Sequence, residues 1–542
     1  MPRRRLPHRR KHAASFGLLL LLSIAAFAQT DAPVSSGRSH GEQNAAHALE
    51  LARSNPLTLR AFLVAMPKGA DLHNHLTGAV YAETMIKDAA DDNLCIDRAR
   101  LSYSTPPAGN APASTRCSDG AVPASEALND QHLYDALIDT LSMRGFVPSA
   151  GVTGHDHFFA TFEHGADPPQ VGSFANHMGE WLDEVATRAA AQNEQYLELM
   201  HTPNFVHTAA IAREVGWKYD FAQLRQDLLD HGLRSDIAVA GKSLDQAEAL
   251  RLQRERCGQT GESPACRVKV RYIYQVLRGF PKEQVFAQAL LGFETASVDP
   301  RFVGINFVMP EDGYISMTDY TLHMRVVGFL HSLYPKVRIS LHAGELAPEL
   351  VPPEGLCCHI HQAIEYAHAE RIGHGVDVMY EDHPYDLLKQ MAARHIMVEV
   401  NLTSNDVILG VTGKDHPFPL YRKFSVPVAL STDDEGVSRI DLTHEYERAV
   451  ETYNLGYADL KQLVRTSLEH SFLPGPSLWT ESDRFTSAIA ACSGSTLGAE
   501  KPSAACNQFL QASEKAGQQW ELERRFQAFE AAPETPISRL AH

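Results

Sequence analysis

The chain has 542 residues, 44% of them hydrophobic and 21% charged, with a net charge of −17. That length and apolar content exclude wholesale disorder and allow one large core with appendages. The acidic balance argues against nucleic acid or an anionic membrane as partner, because binding phosphates relies on Lys and Arg. We read the charge as serving solubility.

Residues 1–28 read as a cleavable secretory leader. A basic stretch, MPRRRLPHRRKHAA, precedes the apolar run FGLLLLLSIAAFA, which closes on the small-x-small pattern Ala26-Phe27-Ala28. The run falls short of the roughly 20 apolar residues a membrane span needs. The leader carries six Arg or Lys and no acid, so its loss takes the net charge from −17 to −23. The expected location is exported, periplasmic or secreted, with no stable membrane association after cleavage. Eight cysteines in an exported chain suggest disulfides. Cys95 with Cys117, Cys257 with Cys266 and Cys492 with Cys506 each bracket a polar loop, while the adjacent Cys357 and Cys358 stay unassigned.

Residues 29–66 read as an N-terminal helical extension, with short helices in NAAHALELARS and LTLRAFLVAM. Eight β-rich segments then recur: Asp71–Leu76, Gln195–His201, Val268–Leu277, Phe302–Met309, Val337–His342, Arg371–His374, Ile396–Asn401 and Val426–Ser431. Stretches of helical periodicity such as DYTLHMRVVGFLHSLY lie between most of them. Eight strands alternating with helices predict an α/β fold, a (β/α)₈ TIM-type barrel over residues 67–473. A loop insertion rich in Pro, Ser, Ala and Gly occupies about 95–123, after the first strand, and residues 258–264 look like a smaller one. Residues 474–542 form a C-terminal extension ending in one helix, NQFLQASEKAGQQWELERRFQAFEA.

The first strand carries GADLHNHLTGA, with His73 and His75 one residue apart. On a helix these rings would point about 200° apart; on a strand they share a face. In such a barrel the active-site groups sit at the carboxyl ends of strands. Strand five ends in His342, with Glu345 three residues on; strand six ends in His374 between two glycines; strand eight ends in Asp433 and Asp434. Singly, each has an ordinary reading as a core histidine, a turn residue or a helix cap. Four strand ends together place imidazoles and a carboxylate on one rim, a donor set that suits Zn²⁺ with a position left for water. A metal so held acidifies that water.

The motifs MPKGADLHNHLTGA, ISLHAGE, RIGHGVD, EVNLTSN and LSTDDEGV, in this order, resemble the signature of adenosine deaminases in the amidohydrolase superfamily. The resemblance runs from about Met66 to Pro474, and the exported context and the insertion are similar to the secreted, growth-factor-related branch. It implies one Zn²⁺ per chain on His73, His75, His342 and Asp433. It also implies that Glu345 delivers a proton to purine N1, and that His374 orients the attacking water and helps deprotonate it, a task Asp433 could share. Asp434 would bond N7, and His75 would also face the substrate. The implied reaction is hydrolysis of adenosine or 2′-deoxyadenosine to inosine or 2′-deoxyinosine and ammonia, with a small purine nucleoside as the partner. The fourth strand holds no lysine, which favours one metal over two.

Two departures bear on the substrate. Thr77 stands where many members have an acid that helps hold the ribose, and Met309 stands where a glycine normally approaches the base. Adenine, AMP or an N6-modified nucleoside is therefore an alternative substrate, although no basic cluster flanks the motifs. A third reading is an extracellular nucleoside-binding or signalling protein, against which the intact acid, base and ligand set speaks. His155 and His157 in GHDHFFATF repeat the paired spacing away from any strand end, and Phe158, Phe159 and Phe162 suit an apolar wall over the pocket as well as core packing. His359, His361 and His368 read as packing or surface residues, and Ser404 and Asn405 as support for the carboxylates.

Overall fold

A computed structural model describes residues 39–107, 117–164 and 177–532; the leader expected at residues 1–28 lies outside them. Eight parallel strands form one sheet: β1 (Gly69–His75), β2 (Glu194–His201), β3 (Lys269–Leu277), β4 (Phe302–Val308), β5 (Arg338–Ala343), β6 (Arg371–His374), β7 (Met397–Val400) and β8 (Val428–Leu430). Their spatial order follows chain order, as right-handed crossovers through intervening helices require. β1 and β2 are buried at almost every position, because helices cover the outer face of a parallel sheet while the inner face fills the core. The helix Lys282–Val298 between β3 and β4 shows the same pressure, being buried continuously from Gln284 to Thr295.

The sheet closes nearly into a barrel where the end of β8 meets β1. The Asp433 amide donates to His73 O at 2.8 Å, and the His75 amide donates to Asp433 O at 3.1 Å. Buried polar side chains reinforce this seam: Thr432 Oγ1 donates to Asp71 Oδ2 at 2.5 Å and accepts from Asn74 Nδ2 at 3.0 Å. The result is the α/β TIM-type barrel expected from the sequence.

The extensions meet each other. The N-terminal helices His40–Ala52 and Pro56–Ala65 flank the terminal helix, and Phe62 packs edge-on against Phe529 at 5.3 Å and against Tyr457 at 6.4 Å. The C-terminal segment is two helices, Ala504–Ala512 and Glu514–Ala531, rather than one. Ser513 breaks the run in an extended conformation and caps the second helix through the Ala516 amide, a role that favours Ser over helix formers. The stretch after β1 is more ordered than a loop: Cys95–Asp97 pairs antiparallel with Ser102–Ser104 and Ala121–Pro123, and the Cys95–Cys117 bridge ties it. Cys257–Cys266 and Cys492–Cys506 are also bonded, and Cys357 pairs with its neighbour Cys358. These bridges fit an oxidising compartment. No helix among the described residues is long and apolar enough to cross a membrane.

Inside the barrel, Arg371 is fully buried and bridges two buried acids, Glu198 on β2 and Glu399 on β7, each at 2.7 Å. Its guanidinium also lies 3.8 Å from the Phe472 ring. Arg371→Met strands two carboxylates in the core and should cost about 3–5 kcal/mol. Urea unfolding checks this; a loss below about 1 kcal/mol would contradict the tie.

Candidate active site

The strand ends bring His73, His75, His342, His374, Glu345, Asp433 and Asp434 to one rim, all buried. Sequence spacing accounts for the placement: β1 turns both its histidines to the same side, and the others each end or follow a strand. Two glycines make the approach possible. A Cβ on Gly78 would fall 1.6 Å from Asp434 Oδ1, and one on Gly373 would fall 2.6 Å from His73 Cε1. His374 and Asp433 hold left-handed backbone, with φ of 68° and 61°, a conformation rare for non-glycine residues and concentrated at functional sites.

The ring nitrogens sort into two classes. His73 Nδ1 donates to Glu399 Oε2 at 2.6 Å. His342 Nδ1 donates to Asn306 Oδ1 at 2.7 Å, and the His342 backbone amide, which can only donate, reaches the same oxygen at 3.3 Å. His75 Nδ1 donates to Gln275 Oε1 at 2.7 Å. With Nδ1 protonated, each of the three turns Nε2 to the centre, the nitrogen that would ligate a cation once it carries no proton. His75 Nε2 and His342 Nε2 stand 3.2 Å apart, and His73 Nε2 is buried without a hydrogen-bond partner. Asp433 Oδ1 lies 3.4 Å from His73 Nε2 and 3.1 Å from His75 Nε2. This buried His/His/His/Asp set is what a zinc-type cation satisfies and what no protein group here does.

His374 belongs to the other class. Its Nδ1 faces the amide of Asn405 at 2.9 Å, and its Nε2 lies 4.0 Å from Asp433 Oδ2. By distance alone, His374 joins His73, His342 and Asp433 in a tight quartet, whereas His75 groups with Asp433 and Asp434. Hydrogen bonding, rather than distance, separates the three histidines whose Nδ1 donates from His374. Ser404 Oγ donates to Asp433 Oδ2 at 2.7 Å; Asn405 serves His374 and no carboxylate.

The charges are tuned by burial and neighbours. Burial opposes a charge on His73, but Asp433 and Glu399 outweigh it and lift its pKa to about 10, so without a cation the ring keeps a second proton, on Nε2 toward Asp433, which a bound metal would displace. Burial and the surrounding imidazoles push His342 down. Burial resists ionisation of Asp433, yet its bonds to His73 and His75 hold it well below the usual carboxylate range. Burial, followed by the nearby carboxylates Asp433 and Glu311, raises Glu345 well above its ordinary value, and burial raises Asp434 to about 8. Glu311 stays ionised near 2 despite burial, through His359 and Arg278.

Glu311 escapes sequence reading, yet it holds the Glu345 loop: its carboxylate accepts the Gly344 amide at 3.0 Å and the Glu345 amide at 2.9 Å. His359 packs rather than ligates, stacking on Tyr320 and donating to Glu311. Gln275, Asn306 and Glu399 also went unread. Asn306 and Glu399 are each the lone polar residue of an apolar strand, whereas Gln275 shares its strand with Lys269 and Arg271. Among the described residues a cavity of about 300 Å³ opens above the rim, its side wall formed by Phe158, Phe159 and Phe162 of the helix Gly154–His164. Thr77 and Met309 both line it. Met309 has a φ of 88° and turns its sulfur to the Gly279 amide, 3.3 Å away, so the backbone keeps a glycine-like shape while the side chain folds aside.

Zinc affinity should respond to the outer partners. Glu399→Gln and Asn306→Ala each should weaken binding about 10–100-fold, read by competition with a chromophoric chelator. Wild-type affinity in both would detach these residues from the metal centre.

Residues 151–480 match the family model described as Adenosine deaminase. A protein named adenosine deaminase from Clostridium perfringens strain 13 is 36% identical over 136 residues, which is 25% of this chain and 38% of that protein. One from Vibrio atlanticus is 26% identical over 423 residues, covering 76% of this chain and 94% of that protein. Among solved structures, a cog1816 amidohydrolase from Burkhoderia ambifaria with bound Zn is 17% identical, covering 89% of this chain and 94% of that one, with a TM-score of 0.49. An adenine deaminase from Arthrobacter aurescens is 18% identical over 75% of this chain and 94% of that one, with a TM-score of 0.47. Neither structure bears on the substrate. The chain spans only 38% of the length of the Clostridium relative, while the family model covers β2 through β8 without a break. On that match the chain belongs to the adenosine deaminase family of the amidohydrolase superfamily.

Proposed function

We propose that this protein hydrolyses adenosine or 2′-deoxyadenosine to the inosine product and ammonia. The observation that carries the reading is the convergence on one cavity of a His/His/His/Asp cation site with a buried carboxyl, Glu345, whose pKa burial raises. His73, His75, His342 and Asp433 would hold one zinc ion, whose chemistry is to acidify a water. Glu345 gives its proton to ring N1, which draws electrons from C6 as the oxygen adds there. His374 orients the attacking water and Asp433 accepts its proton. Asp434, protonated below its pKa of about 8, donates to N7. Asp433 then passes its proton to the C6 amino group, the C6–N6 bond breaks and ammonia leaves, while the C6 hydroxyl gives up its proton to restore the Glu345 carboxyl and C6 becomes a carbonyl beside a still-protonated N1. Attack on an aromatic ring sacrifices its delocalisation, so proton delivery and water activation must coincide.

The cavity favours a neutral nucleoside over a nucleotide. Its described lining holds four acids, Glu163, Glu345, Asp433 and Asp434, and no Lys or Arg, so a phosphate would find no cationic side chain there to pair with. An N6-modified purine is the second reading, because the phenylalanine wall is apolar and could seat a small alkyl group.

Purified protein should release ammonia from adenosine and form inosine, and lose that activity to a chelator. Glu345→Gln should lower kcat by about 10²–10⁴-fold, the range for losing a general acid. AMP should turn over at least about tenfold more slowly than adenosine. Equal rates on AMP and adenosine would overturn the nucleoside assignment, and brisk turnover by Glu345→Gln would remove the proton donor.

A further inference from the structure

Behind His374 runs a line of hydrogen bonds whose direction is set at its far end. The Phe418 backbone amide lies 3.1 Å from His416 Nδ1. A backbone amide only donates, so that nitrogen must accept and the His416 proton must sit on Nε2. His416 Nε2 lies 3.0 Å from Asn405 Oδ1, which accepts it and leaves the Asn405 amide nitrogen facing inward. That nitrogen donates to His374 Nδ1 at 2.9 Å, with a longer donation from Asn401 Nδ2 at 3.4 Å. His374 must then carry its proton on Nε2, the nitrogen aimed into the site. Every member is at most 2% exposed, so water cannot reverse the line. Burial, helped by Arg448, takes the His416 pKa down to about 3, so the ring stays neutral and keeps one accepting nitrogen.

We infer that His416 and Asn405 are positioning residues that fix the tautomer of His374, making it a hydrogen-bond donor to the oxygen that attacks the substrate and barring it from the cation site. The inference rests on the proposed deaminase reading for the donor's purpose, but the tautomer stands on the hydrogen bonds alone. The alternative tautomer is within reach. Glu345 Oε1 lies 3.5 Å from His374 Nδ1, so without the Asn405 donor a proton on Nδ1 would find an acceptor there. His374 Nε2 would then be bare and would join His73, His342 and Asp433 as a fourth ligand, which their spacing already permits. The relay thus separates two fates for one imidazole: donor to the reacting oxygen, or ligand. A donor nitrogen cannot also take a proton, so deprotonation of the water falls to Asp433.

The test uses zinc-loaded protein labelled with ¹⁵N-histidine. Long-range ¹H–¹⁵N spectra separate protonated from bare ring nitrogens, and His374→Gln assigns the relevant signals. The unsubstituted protein should show His374 protonated on Nε2 and bare on Nδ1, opposite to the three ligand histidines. Asn405→Asp replaces the donor with an acceptor and should move the proton to Nδ1. His416→Glu should do the same by turning the Asn405 amide round, whereas His416→Gln keeps a donor in place and should leave the pattern unchanged. With adenosine, kcat should fall about 100-fold or more in Asn405→Asp and His416→Glu, with KM held within about threefold, and His416→Gln should recover most of the loss. A His374 found protonated on Nδ1 in the unsubstituted protein would overturn the inference. So would folded, metal-replete Asn405→Asp and His416→Glu proteins with wild-type kcat. Should the unsubstituted protein leave adenosine untouched, the substrate reading fails, while the nitrogen pattern still decides the relay.

Discussion

The ion chain His73–Glu399–Arg371–Glu198, sealed inside the barrel, is the constraint on which the rest turns. Glu399 accepts from His73 at one oxygen and from Ser340 at the other, and that second oxygen also ion-pairs with Arg371 at 2.7 Å. Burial resists its ionisation, but Arg371 and then His73 hold its pKa below the usual range. A carboxylate fixed this way holds the proton on His73 Nδ1 and turns Nε2 to the rim, where a cation would take it. Such a column adds little net stability, because desolvating the charges offsets most of their attraction. Its worth is orientation. The cation site at the top of the barrel depends on charges several ångströms below it, and a substitution there acts on the rim without touching it.

The rim is also where local rules are broken. His374, Asp433 and Met309 all occupy left-handed backbone, each at a cost of order 1–3 kcal/mol. Gly78 and Gly373 leave no room for even a methyl group. Four strand ends bring their imidazoles and carboxylates within 4.8 Å of one another in the metal-type clusters, while Met309 sits beside them on the cavity wall. The seam bonds between β1 and the end of β8, together with the filled barrel interior, sustain that crowding.

Much of this was legible in the sequence because it is local. Eight buried parallel strands read as short β-rich segments, and paired or strand-terminal histidines announce themselves by spacing. The pairings of Cys95, Cys257 and Cys492 could be read because each partner closes a short loop. What stayed hidden depends on partners far along the chain. Glu311 looks like a turn residue in MPEDG until the Glu345 loop folds onto it. His416 lies in an unremarkable KDHPF stretch until Phe418 and Asn405 give its two nitrogens opposite tasks. Ser513 sits within a run of helical composition, and only the packing at both sides shows that two helices meet there. Asn405 was read as carboxylate support, and its true partner is an imidazole, since side-chain direction at a helix start is fixed by tertiary contact.

The side wall of the cavity comes from outside the strand ends that form the rim. The phenylalanine wall rides on the helix Gly154–His164, which β1 to β8 do not contain. That helix is docked by contact rather than by sequence: a Cβ on Gly154 would fall 1.8 Å from Val407 O, so the two backbones nearly touch. His155 Nε2 then reaches Asp312 Oδ1 at 3.0 Å, linking the wall to the loop that carries Met309. The wall helix is thus tied both to the Met309 loop, through His155 and Asp312, and to the helix Leu402–Leu409, through Gly154 against Val407. That second helix carries Asn405, the hydrogen-bond partner of His374, so the wall of the cavity and the orientation of His374 share one support.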